Sequence, residues 1–445
     1  MAALTVISAA AFLGRLAYLA LSHVDDTPVT EQGDAFWYST IAQNLAKGQW
    51  FTNLFTGAPT ADHPPLTVLV LAPASWLFSD NTLAQRMTMV VLGTVTVAVV
   101  GLAGRRLAGA TAGLAAAIVA ALSPALWVND ALIMSETPTA LLVALLLWAG
   151  VALADRVSLR LAITAGALCG LAALARAETG LFLPFMVWPL VLTDRRSDWR
   201  RRVGLAAVAA GATVAVMAPW TLSNLGRFDE PVAISTNDGL VLLGANCDTT
   251  WHGRLAGGWV LTPCLDDFYA TLNERKPPAS GRERPVPADA AGPERPCVDT
   301  RQRRPPCWDT STMAKAMRSE ALDYIAHNRG GLARVVAVRN ARVWGVNHFD
   351  QAVATGTSEG RPRSVTRWGF YFTWLMVPVS VAGAMVLYRR GRPLLPFVSS
   401  VAVVVATTSA IYGLVRFRIP YDVASTLLGG VVVAHLIRVP QRQRR

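Results

Sequence analysis

The sequence predicts an all-α polytopic membrane protein, and three observations carry that prediction. Of its 445 residues, 53% are hydrophobic and only 16% are charged, against about a quarter charged in soluble chains. The apolar residues gather into stretches of about 20, the length that crosses a hydrocarbon core about 30 Å thick. The net charge of +12 falls in short clusters between those stretches. Together these observations exclude a soluble enzyme and a disordered tail.

Read as helices, the apolar stretches cover about 3–22, 85–104, 110–128, 136–154, 161–176, 180–193, 203–221, 369–388, 394–414 and 420–437, which gives about ten spans. The basic clusters are Arg105-Arg106, Arg156 with Arg160, Arg195-Arg196 with Arg200 to Arg202, Arg389-Arg390 with Arg392, and a tail from Arg438 to Arg445. With the first residue inside, every cluster falls on the cytoplasmic face, as the positive-inside rule requires. The stretch 64–79 is apolar but short and opens on two prolines. Counting it as a span would put Arg105-Arg106 outside, so it is read as re-entrant or interfacial. The first stretch lacks a basic leader and carries Arg15 in its middle, which favours a retained span over a cleaved signal.

The chain then divides into a transmembrane module, 1–221, with a first outer loop at 23–84, an extracytoplasmic region, 222–368, and a second transmembrane module, 369–445, with a basic cytoplasmic tail. The middle region has 19 basic and 16 acidic residues. The positive excess therefore orients the spans and does not mark a nucleic-acid partner. Within it, 275–307 has eight prolines and reads as a flexible excursion. Residues 313–346 return to a helical pattern whose second half resembles an amphipathic helix lying on the membrane surface. Of five cysteines, four (Cys247, Cys264, Cys297 and Cys307) lie in this region. An even number on an oxidising face predicts two disulfides, with three pairings open. Cys169 lies within a span as a small core residue.

Charged groups near a bilayer are costly, so those at the span ends require a reason. They collect on the outer face: Glu31 and Asp34, Asp62 and His63, Arg86, Asp130 and Glu136, Arg176 and Glu178, and Arg416 and Arg418. This pattern predicts a polar cavity at membrane level. Arginines there suit a lipid-linked phosphate, which guanidinium binds bidentately, and a carboxylate suits a general base for a hydroxyl acceptor. Trp37, Tyr38, Trp50, Phe51 and Trp76 either stack on a sugar or belong to the interfacial aromatic belt. A transporter would carry its charges mid-span, whereas these span middles are Ala, Val, Leu and Gly, with Arg15 the main exception. A transporter or flippase of a lipid-linked sugar is the alternative reading.

Seven motifs resemble those of GT-C glycosyltransferases, in order and on the expected faces. Gly33-Asp34-Ala35-Phe36-Trp37-Tyr38, followed by Ile41 to Gly48, is similar to the family's first outer loop. Asp62-His63-Pro64-Pro65-Leu66 is similar to the element of the branch that holds protein O-mannosyltransferases and aminoarabinose transferases. Then come Gly104-Arg105-Arg106-Leu107, Leu122-Ser123-Pro124 with Ser135-Glu136, Ala175-Arg176-Ala177-Glu178, Pro219-Trp220 with Asn224, and Arg416-Phe417-Arg418-Ile419-Pro420. The family often has Arg-Asn after the Pro-Trp, whereas here Ser223 precedes Asn224.

The resemblance implies a GT-C-like helical bundle and a polyprenyl-phosphate sugar donor, with a protein, glycan or lipid acceptor at the outer membrane surface. It implies Asp34 as catalytic base, with Glu31 as its rival, and Arg416 or Arg418 stabilising the leaving phosphate, with Arg86 or Arg176 as alternatives. Trp37, Tyr38, Asp62, His63, Glu136 and Glu178 are the remaining candidates for substrate contact. Without the resemblance, Asp34 reads as a helix-capping loop carboxylate, His63 as a loop support, and Asp130 and Glu136 as caps. No nucleotide-binding or metal-ligand spacing is present, so no cofactor and no metal is predicted.

Overall fold

The structure is a computed structural model that describes residues 1–22, 28–53, 57–79, 81–274 and 309–443. Among these residues there are nineteen α-helices and no β-strand, apart from one isolated bridge between Thr52 and Pro59.

The first module begins with α1 (Ala2–Leu21), followed by α2 (Asp34–Ala46) and α3 (Leu66–Phe78). Next come α4 (Thr82–Ala108), α5 (Ala110–Leu122), the short α6 (Pro124–Trp127) and α7 (Glu136–Asp155). It closes with α8 (Leu159–Ala175), α9 (Trp188–Leu192) and α10 (Trp199–Leu225). The middle region supplies α11 (Asp238–Ala245), α12 (Asp248–Trp251), α13 (Cys264–Glu274), α14 (Thr310–His327), α15 (Leu332–Val343) and α16 (Phe349–Ser358). The last module is α17 (Arg363–Arg389), α18 (Leu395–Ala410) and α19 (Ile419–Gln443).

Each apolar stretch read from the sequence is helical. Six helical segments, α1, α4, α7, α10, α17 and 415–437, are long and apolar enough to cross a membrane. A seventh span results if α5 and the segment 124–131, bent by 55° at Ser123, are counted together. The stretches at 161–176, 180–193 and 394–414 are shorter apolar helices. The stretch at 180–193 is irregular: a 3₁₀ turn at Ala177–Leu181, a π turn at Leu183–Val187, then α9. Pro184 and Pro189 each remove an amide donor there, so one continuous α-ladder cannot form. The stretch at 64–79 is the 13-residue α3, too short to cross on its own.

The core lies where α4, α5, α7 and α19 meet, with α17 against α19 and α8 against α10. Small residues allow that closeness, as is usual between membrane helices. At Gly166 of α8 an added Cβ would lie 2.1 Å from the carbonyl oxygen of Ala209 on α10. Thr213 Oγ1 also donates to the Gly166 carbonyl at 2.8 Å.

Three of the predicted basic clusters meet at one end of this bundle. Arg106 and Arg392 each lie 3.1 Å from the Asp155 carboxylate, and Arg196 donates to the Asp155 carbonyl at 2.7 Å. Asp155 ends α7, and Glu136 begins it. Twenty residues at 1.5 Å each separate the two by about 30 Å, the thickness of a bilayer core.

In the middle region α11 packs on α14, and a disulfide joins Cys247 to Cys264. This is one of the two predicted bridges; Cys297, Cys307 and the proline-rich stretch 275–307 lie outside the described residues. The amphipathic helix expected in 313–346 is α15, with Val335, Arg339, Arg342 and Val343 buried. Arg339 donates to the Ala245 carbonyl at 2.6 Å, and Asn340 bonds Ser409 and Thr408 at the end of α18.

Candidate active site

The site forms where the ends of α2, α7, α8 and α16 meet the turn Val415–Arg418 before α19. Asp34 is the first residue of α2, and Gly33 before it has φ +57° and ψ −125°, a conformation open essentially to glycine alone. The Gly-Asp pair of the motif therefore sets the angle at which Asp34 leaves the chain. Its carboxylate accepts a 2.8 Å hydrogen bond from Arg416 Nη1. His63 Nε2 lies 3.8 Å from its other oxygen. Burial pushes the Asp34 carboxyl up, but Arg416 and His63 outweigh it and hold the group well below the usual carboxylate range. The side chain is still 30% exposed, so an ionised carboxylate remains open to a substrate.

Glu136, the first residue of α7, is fully buried, and three arginines converge on its Oε1. Arg416 Nε lies at 2.9 Å, off the hydrogen-bond line, Arg176 Nη1 at 3.3 Å and Arg361 Nη2 at 3.5 Å. Arg176 also donates to Glu178 at 2.6 Å and to Ser135 Oγ at 3.3 Å, with its guanidinium over the Phe417 ring. Buried acids and bases at this depth persist only when paired in this way.

Two members of the network carried no motif in the sequence. Glu359 follows the last residue of α16; its Oε1 accepts from Arg416 at 3.1 Å and its Oε2 from Arg361. Arg361 is held in turn by Asn129 Oδ1 at 3.0 Å. The only signal available was the acid-glycine-base triplet Glu359-Gly360-Arg361 just before α17. Tyr412 is a further neighbour of Arg416, Asp34 and Glu359.

The other predicted residues separate into two groups. Around the base, Trp37 and Tyr38 pack their rings against His63 with centroids 4.9 and 5.1 Å apart. Tyr38 also shares a hydrogen bond with Ser135. The remainder hold loops together. Arg86 donates to the Ala131 carbonyl at 2.6 Å and to Gln32 at 3.0 Å, fully buried. Asp62 receives Thr236 and, through its carbonyl, Ser235. Arg418 is clasped by Asp422 at 3.0 Å and donates to the Val343 carbonyl. Glu31 is exposed on the surface. Asp130 is buried against Arg15 at 2.6 Å and Thr137 at 2.8 Å, which explains the arginine in the middle of α1. Trp50 bonds Ser223, the residue that departs from the family pattern.

Beside the network lies a partly open cleft. Arg361, Arg416, Arg418 and Asp422 line its polar part, and Pro124, Val128, Val365 and Val415 are among its apolar walls. No group of His, Cys, Asp and Glu among the described residues is arranged to hold a metal ion. An open, ionised carboxylate next to guanidiniums and an apolar cleft can deprotonate a hydroxyl beside a bound lipid phosphate.

In fold the chain is similar to solved oligosaccharyltransferase structures. Residues 62–222 match the model of the dolichyl-phosphate-mannose-protein mannosyltransferase family. The oligosaccharyltransferase of Archaeoglobus fulgidus in its apo form aligns over 99% of this chain at 15% identity and TM-score 0.53. The same organism's AglB oligosaccharyltransferase, in complex with an inhibitory peptide and a dolichol-phosphate, aligns over 97% at 15% identity and TM-score 0.50. The chain spans 52% of the length of each. ArnT from Cupriavidus metallidurans bound to undecaprenyl phosphate aligns over 94% of this chain and 77% of its own at 16% identity, with a TM-score of 0.38 too low to argue from. No curated protein matches the chain in sequence.

Proposed function

We propose that the protein transfers a sugar, with mannose or arabinose favoured, from a polyprenyl-phosphate donor to a hydroxyl of an extracytoplasmic acceptor. The observation that carries this reading is Asp34, ionised and open, sharing Arg416 with the cleft. Asp34 takes the acceptor hydroxyl proton as that oxygen attacks the anomeric carbon. The bond from that carbon to the phosphate oxygen breaks, and the lipid phosphate leaves with the electron pair, inverting the sugar. Phosphate is a good leaving group, so a paired general acid is not required, unlike in glycosidases. Arg416 stabilises the charge that develops on the phosphate.

The gathering of basic clusters around Asp155 supports an outward-facing site. Positive-inside orientation puts that end in the cytoplasm of the cell membrane and the Asp34 end about 30 Å away, outside. The acceptor is a protein, glycan or lipid, and the segment 245–312, which matches none of the family motifs, is the part proposed to select it.

The test uses purified protein with polyprenyl-phosphate mannose or arabinose and an envelope extract as acceptor, reading the release of free polyprenyl phosphate. Asp34→Asn is expected to cut release by about 10²–10⁴-fold while keeping donor binding. Full activity in that variant removes Asp34 as base. Donor that crosses vesicle membranes without release of polyprenyl phosphate favours the flippase.

A further inference from the structure

We propose that Glu359 occupies the seat of the donor phosphate, between Arg361 and Arg416, and that donor binding displaces it. This rests on the polyprenyl-phosphate reading above and adds to it the two arginines that hold the phosphate and the carboxylate that competes for them. The argument starts from charge. Asp34, Glu136, Glu178 and Glu359 face Arg176, Arg361 and Arg416, four carboxylates against three guanidiniums, with His63 beside Asp34 the one further group able to carry positive charge. A phosphodiester brings another negative charge into this site, where repulsion is little screened. Binding is therefore more favourable when one carboxylate withdraws.

Glu359 is the one least held. Asp34 and Glu136 sit in the first turns of α2 and α7, where the helix dipole favours an anion. Glu178 lies in the turn that follows α8, close-paired with Arg176. Glu359 instead sits at the C-terminal end of α16, where the dipole disfavours negative charge, and its contacts are with Arg361 and Arg416. Those two arginines reach it from different segments, each giving one hydrogen bond to one of its two oxygens. A phosphate presents the same pair of oxygens to guanidinium groups. Both arginines also line the cleft, whose walls of Pro124, Val128, Val365 and Val415 suit a prenyl chain.

The experiment measures binding of undecaprenyl phosphate to detergent-solubilised full-length protein by titration calorimetry. Each variant is checked for a single size-exclusion peak and an unchanged melting temperature. Glu359→Gln is expected to tighten binding about fivefold or more, and Arg361→Gln to weaken it by at least as much. Glu359→Ala serves as a second variant, because a glutamine oxygen still accepts from one of the arginines. Unchanged or weaker binding in both Glu359 variants overturns the exchange, whatever Arg361→Gln does. Wild-type protein that fails to bind undecaprenyl phosphate at all overturns the donor reading and the exchange with it. Inorganic phosphate that binds as tightly as the lipid overturns the assignment of the seat to a lipid donor.

Discussion

An aspartate paired with an arginine is a poor base, because the pair holds its proton affinity down. Asp34 is in that state, with burial opposing Arg416 and His63 and losing. The sign of its pH dependence follows. The working form is deprotonated, so activity falls only as pH drops through the depressed value. In Arg416→Gln the opposing charge is gone and burial dominates, so the carboxyl rises. The acidic limb of kcat, read at saturating donor, is expected to move to higher pH by about one to three units. An unmoved limb would mean that another group controls the proton. The sequence identified this aspartate through its Gly-Asp-aromatic context, and Arg416 through its basic pair. It set Arg418 beside Arg416 and kept Arg86 as an alternative, and the partners of these two turn out to include backbone carbonyls, Gln32 and Asp422.

At the scale of elements, the bundle depends on backbones that touch. Gly166→Leu on α8 forces a side chain into the Ala209 carbonyl, where overpacking costs about 1–3 kcal/mol. The expected result is a fall of several degrees in melting temperature in detergent, while Gly204→Leu on α10, whose Cβ position is open, leaves it unchanged. Equal falls in both would mean that leucine is penalised for reasons other than this contact. Apolar run lengths placed the long apolar helices in the sequence, because each run must bury itself in lipid or protein, but not α2, α11 to α13 or α16. They did not show the break within 177–192, where two prolines interrupt the ladder. They gave no hint that α15 buries arginines against α18 and the chain at Ala245-Asn246.

For the whole molecule, α7 acts as a ruler, with Glu136 in the site at one end and Asp155 among the basic clusters at the other. This fixes a topological expectation. In a cysteine-free background, Arg390→Cys should react with a membrane-impermeant thiol reagent only in inside-out vesicles, and Glu31→Cys only in right-side-out vesicles. Reaction of both from one side would reverse the proposed orientation or remove a span. The likeness to the oligosaccharyltransferase extends over nearly all of this chain but half of that one. The shared part is thus the fold of this chain, and about half of the other chain lies beyond it.

What the sequence determined by itself is what depends on local composition. Apolar length sets the helices, arginine position orients them, and Gly33-Asp34 exposes a carboxylate at the start of a helix. Only the tertiary structure decided which charges meet. Asp34 and Arg416 are 382 residues apart, and Glu359 and Arg361 carried no motif, because an ion pair is recognised by distance in space and leaves no periodicity in the chain. The +12 total concealed this. Most of that excess lies in the basic clusters between the apolar stretches, while the site about 30 Å from Asp155 is a network in which carboxylates outnumber arginines by one.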